Sequence, residues 1–264
     1  MLGDFPEQAE DALISLRWLE AARTRAVSSN ALTLHAGVDV AGPGDDETVA
    51  IVRDSTGAIV ALQAWGQPDP RGEVASFLAP YNGRLESVNV DSAGIGYYFG
   101  RHLSDLGYPV NSVNVGEATS FPAKFANLKA QLYWSLRERF EAGEVSGLTD
   151  ELTFSQLASI RYKHNPRGQV VIESKEEARK RGVKSPDRAE AVMLAYSCTE
   201  PAAMTYFRRE LEHRHEVELA LTQGRKPPER SERNPVMESY LAGRARAEKM
   251  LDEMSQRYGR LRDR

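Results

Sequence analysis

The sequence of 264 residues contains one cysteine, Cys198, and no long apolar run. A single cysteine excludes an internal disulfide framework and a cysteine cluster for zinc, which fits a reducing cytoplasm. No stretch approaches the roughly 20 apolar residues of a membrane-spanning helix. The N-terminal segment is acidic and lacks the apolar core of a signal peptide. We therefore expect a soluble protein with no membrane partner.

The sequence also lacks a strong excess of one charge, because its formal net charge is only −4. This balance neither indicates nor excludes nucleic-acid binding, since a local basic patch matters more than the sum. Hydrophobic residues make up 41% of the chain and charged residues 27%, as expected for a soluble domain with a real core. The length allows one large domain, or one domain with extensions.

Three segments follow from the composition. Residues 1–30 are predicted to be a helical linker, because Leu13, Leu16 and Leu19 recur at helical spacing before VSSN breaks the pattern. Residues 31–200 alternate strand and helix patterns and form the predicted core domain. Residues 201–264 contain two charged helical patterns around the linker GRKPPERSERNP and are predicted to be a helical tail.

The core domain begins with a strand of alternating polarity. Leu34, Ala36 and Val38 share one face of this strand, whereas His35 and Asp39 share the other. Five strands are predicted, with a short turn joining the second to the third and helices between the later ones: LTLHAGVDV, TVAIVRD, AIVALQAW, ESVNVD and PVNSVNVG. This order favours an α/β fold with a mixed five-stranded sheet flanked by helices. A separate hairpin is predicted where IRYKH and GQVVIES flank NPR.

Two helices frame the later part of this domain. The strongest helical pattern carries an apolar stripe from Phe125 to Phe140 and ends at Gly143. The final helix lies in SPDRAEAVMLAYSC, where Ser185 suits an N-cap and Pro186 the first helical position.

Three aspartates lie at boundaries between elements and not in solvated charge runs. Asp39 and Asp91 end apolar strands, and Asp187 opens the final helix. If the two strands pair in parallel, both aspartates lie on one face of the sheet, on strands about 4.8 Å apart. Glu190, three residues after Asp187, lies on the same helical face. These carboxylates would repel one another unless a cation lies between them.

The carboxylate set predicts a divalent-metal site. Mg²⁺ and Mn²⁺ take carboxylate oxygens and water, and two such ions roughly 4 Å apart activate a water and stabilise the leaving oxygen in phosphodiester hydrolysis. No nucleophilic side chain is needed, which suits a chain without a G-x-S-x-G motif. We predict that Asp39, Asp91 and Asp187 hold two ions and are catalytic, with Glu190 as a further ligand.

Each carboxylate also has a purely structural interpretation. Asp39 alone could be a strand-end carboxylate, Asp91 could cap the following helix, and Asp187 could complement a helix dipole. Asp45 and Asp46 are interpreted as loop carboxylates, and His35 as a structural histidine. The combination of the three aspartates in this strand order, more than any one of them, favours the metal site.

The span from about Leu32 to Cys198 resembles the C-terminal nuclease domain of the large terminase subunit of tailed bacteriophages. The resembling pieces are GVDVAGPGDDETVAIVRD, NVDSAGIGYYFGRHL, FANLKAQLYWSLRERFEAG and VVIESKEEARKRGVKSPDRAEAVMLA. The resemblance implies a ribonuclease H-like, RuvC-like fold, with metal-binding carboxylates at Asp39, Asp91 and Asp187. Glu190 stands where many relatives have aspartate.

The resemblance further implies an endonuclease that cuts concatemeric phage DNA during genome packaging in the cytoplasm of the bacterial host. Its implied partners are double-stranded DNA, the terminase ATPase domain, the small terminase subunit and the portal. The hairpin resembles an element of viral terminases that would help admit duplex DNA, with Arg161, Lys163 and Arg167 near phosphate. The chain has no G-x-x-x-x-G-K-[ST] motif, so it is not itself the packaging motor. It is interpreted as an isolated nuclease domain or a truncated prophage copy.

Three rival functions remain open at this point. A Holliday-junction resolvase would share the fold and would act on cruciform DNA. A sugar-kinase or actin-like ATPase shares the strand order, but it needs two such domains, and one core of under roughly 200 residues is too small for both. A non-catalytic packaging module would have lost metal binding while keeping the fold.

Overall fold

The computed structural model describes residues 11–27, 33–42, 44, 46–67, 69–197 and 222. The chain divides into two units, Met1–Cys198 and Thr199–Arg264. The fold described below belongs to the first unit. The predicted helical tail lies outside the described residues apart from Thr222. None of the described helices is long and apolar enough to cross a lipid bilayer.

Five strands form the central sheet in the spatial order β3-β2-β1-β4-β5. The strands are β1 (Leu34–Asp39), β2 (Thr48–Asp54), β3 (Ile59–Trp65), β4 (Leu85–Asp91) and β5 (Val110–Val113). β1, β2 and β3 are antiparallel neighbours, whereas β4 runs parallel to both β1 and β5. The predicted mixed five-stranded sheet is therefore confirmed, including the hairpin of β2 and β3.

Seven α-helices lie around this sheet in the part of the first unit that the structure describes. They are α1 (Leu16–Thr24), α2 (Arg71–Leu78), α3 (Ile95–Asp105), α4 (Leu128–Ala142), α5 (Glu151–Ser159), α6 (Lys175–Lys180) and α7 (Asp187–Tyr196). A short 3-10 helix, Ala79–Arg84, leads from α2 into β4. The predicted separate hairpin is also present, as β6 (Tyr162–His164) and β7 (Val170–Ile172).

The two faces of the sheet are covered by different helices because the strand side chains alternate. Ala36, Val38 and Val90 pack against apolar side chains of α2 and α3. On the opposite face, Val49 and Ile51 pack in a cluster with side chains of α4, α5 and α7. The sheet therefore lies between two helical layers, as expected for this fold class.

α7 lies unusually close to the sheet. A Cβ atom added to Gly37 would lie 2.2 Å from the carbonyl oxygen of Ala191 and 2.3 Å from the backbone nitrogen of Ala195. The missing side chain at Gly37 lets the backbone of α7 rest directly on β1. This contact fixes the height of α7 above the strand that ends at Asp39.

Two predicted helix starts are wrong. α1 begins only at Leu16, where Ser15 caps it by accepting a hydrogen bond from the Trp18 N–H. Leu13 precedes the helix and donates its N–H to Ile160, and its side chain is buried in the core. The segment assigned to a linker thus contributes to the packed domain.

The helix carrying the Phe125 to Phe140 stripe also starts later than predicted. α4 begins at Leu128 because Asn127 accepts a hydrogen bond from the Ala130 N–H, a side-chain cap that precedes the helix. Phe125 therefore lies outside α4 and packs beside Val170 of β7. The predicted stop at Gly143 is confirmed, since this residue has a left-handed backbone with φ of 74°.

Candidate metal centre

Asp39 and Asp91 end the two central parallel strands on the face covered by α7. Gly37 pairs with Asn89 across β1 and β4, and the Asn89 side chain donates a hydrogen bond to the Leu194 carbonyl of α7, 2.8 Å away. Asp39 and Asp91 each lie two residues further along the same strands, so their side chains point to the same face. The parallel pairing that the sequence analysis required is present.

The beginning of α7 brings two more carboxylates to this edge of the sheet. Asp187 is the first residue of α7 and Glu190 lies one turn later. The predicted N-cap at Ser185 is wrong, because the N-cap position belongs to Pro186. The Ser185 hydroxyl instead donates to Oδ1 of Asp187, so it holds the carboxylate and not the helix backbone.

Of the described carboxyl groups, Asp39 has the most strongly raised pKa. Its side chain is almost fully buried, with 7% of the residue exposed. Burial and the nearby charges of Glu190, Asp187 and Asp91 raise the pKa of Asp39 well above its usual range, although Lys175 opposes the shift. A buried carboxylate among other carboxylates is costly at neutral pH unless a cation joins them.

Asp91 and Asp187 are held by hydrogen bonds. Asp91 accepts the Ala93 N–H at 3.0 Å, and Asp187 accepts the Glu47 N–H at 2.9 Å in addition to the Ser185 hydroxyl. Burial nevertheless raises the pKa of both carboxyl groups, and the hydrogen bonds only partly oppose it. Backbone N–H groups therefore orient both side chains.

Two lysines that the sequence analysis did not identify bind Glu190. The Lys129 ammonium of α4 lies 2.6 Å from Oε1, and the Lys175 ammonium at the start of α6 lies 3.8 Å from Oε2. Burial lowers the pKa of Lys175, but the carboxylates of Glu190, Asp39 and Asp187 raise it by more. The two lysines therefore partly neutralise the negative charge of the clustered carboxylates.

Tyr133 is a second residue that the sequence analysis missed. It lies one turn after Lys129 on α4 and is completely buried. Its hydroxyl has no hydrogen-bond partner in the described part of the chain. Burial, followed by the charges of Glu190, Asp39 and Asp187, raises the pKa of this phenol. The hydroxyl of Tyr133 is therefore a buried, unsatisfied polar atom near three carboxylates.

The donor set fits a hard divalent cation in chemistry, since it offers carboxylate oxygens that such ions prefer. Among the described residues, however, no three or more acidic, histidine or cysteine side chains converge closely enough to cage a metal ion as they stand. Glu190 is turned to the lysines and Asp187 to its hydrogen-bond donors. Metal binding therefore requires side-chain rearrangement at this edge.

Other residues named from the sequence lie around this group without joining it. His35 hydrogen-bonds to Ser87 at 2.9 Å, four residues before Asp39 on β1. Asp46 adds to the raised pKa of Asp187 from the β1–β2 loop, and Asp45 lies outside the described residues. The structural interpretation of His35 fits this placement.

The basic residues of the β6–β7 hairpin have protein partners. Arg161 forms a salt bridge with Asp11 at 3.1 Å, and Lys163 pairs with Glu177 of α6. Arg167 is exposed in the turn, where its N–H bonds to the Asn165 side chain. Arg161 and Lys163 are thus already paired with carboxylates, and DNA binding by Arg161, Lys163 and Arg167 stays a prediction.

Solved structures share this architecture. A mutant nuclease domain of the large terminase subunit gp2 of bacterial virus Sf6, with manganese and beta-thujaplicinol, matches with a TM-score of 0.60 at 19% identity, over 72% of this chain and 100% of that one. The large terminase nuclease from thermophilic phage G20c with bound magnesium matches at 0.53 and 22% identity, over 73% and 100%. The fold is that of the phage terminase nucleases. No family model and no curated protein matches this sequence.

At these identities the likeness establishes the fold, and the case for a function depends on the residues of this chain. The ribonuclease H-like fold predicted from the sequence is confirmed. The match spans 72–73% of this chain and the whole of each matched domain.

Proposed function

We propose that this chain is the nuclease domain of a large terminase subunit from a tailed phage or prophage, and that it is a metal-dependent DNA endonuclease. The observation that supports this most is the position of Asp39, Asp91 and Asp187 at the ends of β1 and β4 and the start of α7. They lie on one face of a sheet whose fold is shared with terminase nucleases, some of which have bound metal. A separate structural role for each carboxylate would not require all three to lie at the same edge of the sheet.

The catalytic set of the proposal is Asp39, Asp91 and Asp187, with Glu190 as a further ligand. Two Mg²⁺ or Mn²⁺ ions, when bound, would supply an activated water and charge stabilisation for the leaving oxygen. Asp39 offers a buried carboxylate whose pKa is raised by burial and by the neighbouring carboxylates, so a bound cation would favour its charged form. Asp91 and Asp187 offer carboxylates held in place by the backbone N–H groups of Ala93 and Glu47.

The surroundings of these carboxylates limit access by water. Asp187 and Glu190 are 5% and 4% exposed, and the backbone of α7 packs closely against Gly37 of β1. A dry site strengthens the electrostatic interaction between cations and the developing charge on phosphate. The side of Asp91, which is only half-buried, is the side of the site proposed to face the DNA backbone.

Double-stranded DNA is the proposed substrate, bound through phosphates with little base readout. The exposed hairpin with Arg161, Lys163 and Arg167 is the proposed contact surface beside the site. In the proposed setting the domain works with the terminase ATPase domain, the small subunit and the portal, in the cytoplasm of the host. Cutting of concatemeric DNA would begin and end packaging.

One observation favours a second candidate, a non-catalytic packaging module of the same fold. Lys129 and Lys175 already neutralise Glu190, and the described carboxylates form no ready-made metal cage. This candidate predicts that the chain binds no divalent cation at all. Metal-binding calorimetry separates it from the nuclease.

The deciding experiment incubates the purified chain with supercoiled plasmid and Mn²⁺ and follows nicking and linearisation. The isosteric variant Asp39→Asn tests the site, EDTA tests the metal, and Asp105→Asn, an exposed carboxylate at the end of α3, is the matched control. We expect cutting by the wild type and by the control variant, and none by Asp39→Asn or in EDTA.

Cutting that persists in Asp39→Asn would show that the nuclease activity, if any, resides elsewhere. A wild type that neither cuts nor binds Mn²⁺ supports the packaging module. A four-way junction offered beside linear duplex extends the test, because preferential cutting of the junction would favour a resolvase over a terminase nuclease.

A further inference from the structure

The shortest ion pair at the candidate metal centre joins Lys129 to Glu190. Nζ of Lys129 lies 2.6 Å from Oε1, and both side chains are largely buried. Lys175 is further away, at 3.8 Å from Oε2, and its side chain is more exposed. The principal partner of Glu190 is therefore Lys129 of α4.

Lys129 is held in place by its helix. The Lys129 N–H bonds to the Val115 carbonyl, and the preceding Leu128 N–H bonds to the Glu117 carbonyl. Asn127 caps the same turn. Since the first turn of α4 is fixed to the chain that follows β5, the ammonium group is presented to Glu190 from a rigid position.

A buried carboxylate needs either a partner or a proton. Lys129 provides the partner, and this explains how Glu190 remains in a site crowded with Asp39 and Asp187. The same contact makes Glu190 a poor metal ligand, because the oxygen that a cation would take is already bound to an ammonium group.

From these contacts we infer that Lys129 is a resident cation of the candidate metal centre, which a divalent ion must displace from Glu190 on binding. The inference depends on the proposed function in one respect, namely that the carboxylates take a metal. Lys129 then determines the concentration of divalent ion that is needed before Glu190 can act as a metal ligand. It is a positioning residue, since it acts through Glu190.

The unsatisfied hydroxyl of Tyr133 provides independent support. This buried group lies one turn along α4 from Lys129, and the charges of Glu190 and Asp39 act on it. Lys129, Tyr133, Lys175 and Glu190 line one common cavity. A buried donor without a partner indicates that the cavity takes up another polar group, such as the water of a hydrated ion.

The test measures Mn²⁺ binding by calorimetry in the absence of DNA. Lys129→Met removes the ammonium group and keeps the length of the side chain, whereas Lys129→Arg keeps the charge. Lys124→Met is the matched control, because Lys124 is an exposed lysine just before α4 that pairs with Glu138. We expect Lys129→Met to bind Mn²⁺ three- to tenfold more tightly than the wild type, with Lys129→Arg and Lys124→Met close to the wild type.

Thermal unfolding in EDTA supplies a second readout that does not involve metal. Lys129→Met should unfold several degrees below the wild type, because Glu190 loses its closest partner, and the double variant with Glu190→Gln should recover most of that loss. Unchanged or weaker Mn²⁺ binding by Lys129→Met, or no recovery in the double variant, would overturn the inference.

Failure of the proposed function gives a different pattern. If no variant binds Mn²⁺ but the EDTA unfolding data show the coupling between Lys129 and Glu190, the lysine is a permanent counter-ion and both the displacement and the nuclease proposals fall. If the wild type binds Mn²⁺ and Lys129→Met binds no better, the nuclease proposal stands and only the displacement fails.

Discussion

Gly37 packs so closely against Ala191 that a Cβ atom on Gly37 would lie 2.2 Å from the Ala191 carbonyl oxygen. No real Cβ contact is this short, and the obstructing atoms belong to the backbone of α7, which cannot rotate away as a side chain does. The absence of a side chain at Gly37 therefore determines how closely α7 packs on β1.

We expect Gly37→Ala to lower the free energy of unfolding by about 3 kcal/mol, because overpacking a well-packed contact between backbones forces both elements apart. Chemical denaturation measures the change. Gly72→Ala, on the exposed face of α2 with nothing within 4 Å, is the control and should be neutral or slightly stabilising. Equal effects of the two variants would contradict the close packing of α7.

A second prediction concerns the pH dependence of the metal-free protein. The folded-state pKa of Asp39 is raised above its unfolded value, so the stability associated with its protonated form is fully present below about pH 4 and is lost as the pH rises through the folded-state pKa. Asp39→Asn has no carboxyl group to titrate at this position, so its stability does not fall in this way as the pH rises. In EDTA we expect the variant to exceed the wild type in stability by on the order of 1 kcal/mol at pH 8, or roughly 2–4 °C in Tm, and by little at pH 4.

Thermal unfolding of both proteins across that pH range measures the difference. A constant gap between Asp39→Asn and the wild type would contradict the raised pKa. Saturating Mn²⁺ provides the internal control, because it should stabilise the wild type and not the variant.

A third prediction contrasts two buried tyrosines. The Tyr133 hydroxyl has no partner in the described part of the chain, whereas the Tyr196 hydroxyl donates to the Gly57 carbonyl at 2.6 Å. Tyr133→Phe should therefore leave the free energy of unfolding in EDTA unchanged or raise it slightly. Tyr196→Phe should lower it by about 1 kcal/mol, since the carbonyl of Gly57 loses the shorter of its two hydrogen bonds and keeps the one from the Ser146 N–H. A similar loss in both variants would show that Tyr133 has a partner after all.

A fourth prediction concerns DNA binding by the hairpin. Arg167 lies exposed in the β6–β7 turn. We expect Arg167→Ala to weaken duplex binding equally for unrelated sequences and to reduce the slope of log K against log salt by about one, as for the loss of one phosphate contact. Fluorescence anisotropy over a salt series measures it.

The control for this prediction is Arg71→Ala at the start of α2, where the arginine pairs with Asp69. This variant should bind as the wild type does. A sequence-dependent loss in Arg167→Ala would argue for base readout at the hairpin, and no loss at all would remove it from the DNA surface.

The sheet and the position of the three aspartates were predictable because both rest on simple periodicity. Alternation in β1 and β4 determines which side chains share a face, and the ends of parallel strands lie at one edge. Asp39 and Asp91 could therefore be placed on the same side of the sheet from the sequence.

The lysines around Glu190 were not predictable in the same way. Which residue of α4 faces α7 depends on the rotation of that helix, which Asn127 and the backbone contacts of Lys129 determine through tertiary packing. The apolar stripe of α4 predicts which side of the helix faces the core. It does not predict that Lys129, at the margin of that stripe, reaches Glu190, which lies far along the chain. A signal did exist in hindsight, because a lysine beside a core stripe is placed to extend its charged end to the rim of a buried site.

The role of Ser185 was mistaken for a related reason. A serine before a helix is most often a cap, and only the position of the Asp187 carboxylate shows that the hydroxyl is used there. Local patterns predict local hydrogen bonds, whereas a functional site can redirect them.

The candidate ligands are spread along the chain from β1 to α7, the last element of the described domain. During synthesis the N-terminal strands leave the ribosome long before α7 exists, so a nascent chain carries Asp39 and Asp91 without Asp187 and Glu190. If a chain is cleaved between β5 and α7 and its parts separate, the N-terminal part likewise carries Asp39 and Asp91 without Asp187 and Glu190. The complete set of candidate ligands therefore exists only once α7 has been made, and the proposed nuclease site depends on the last element of the described domain.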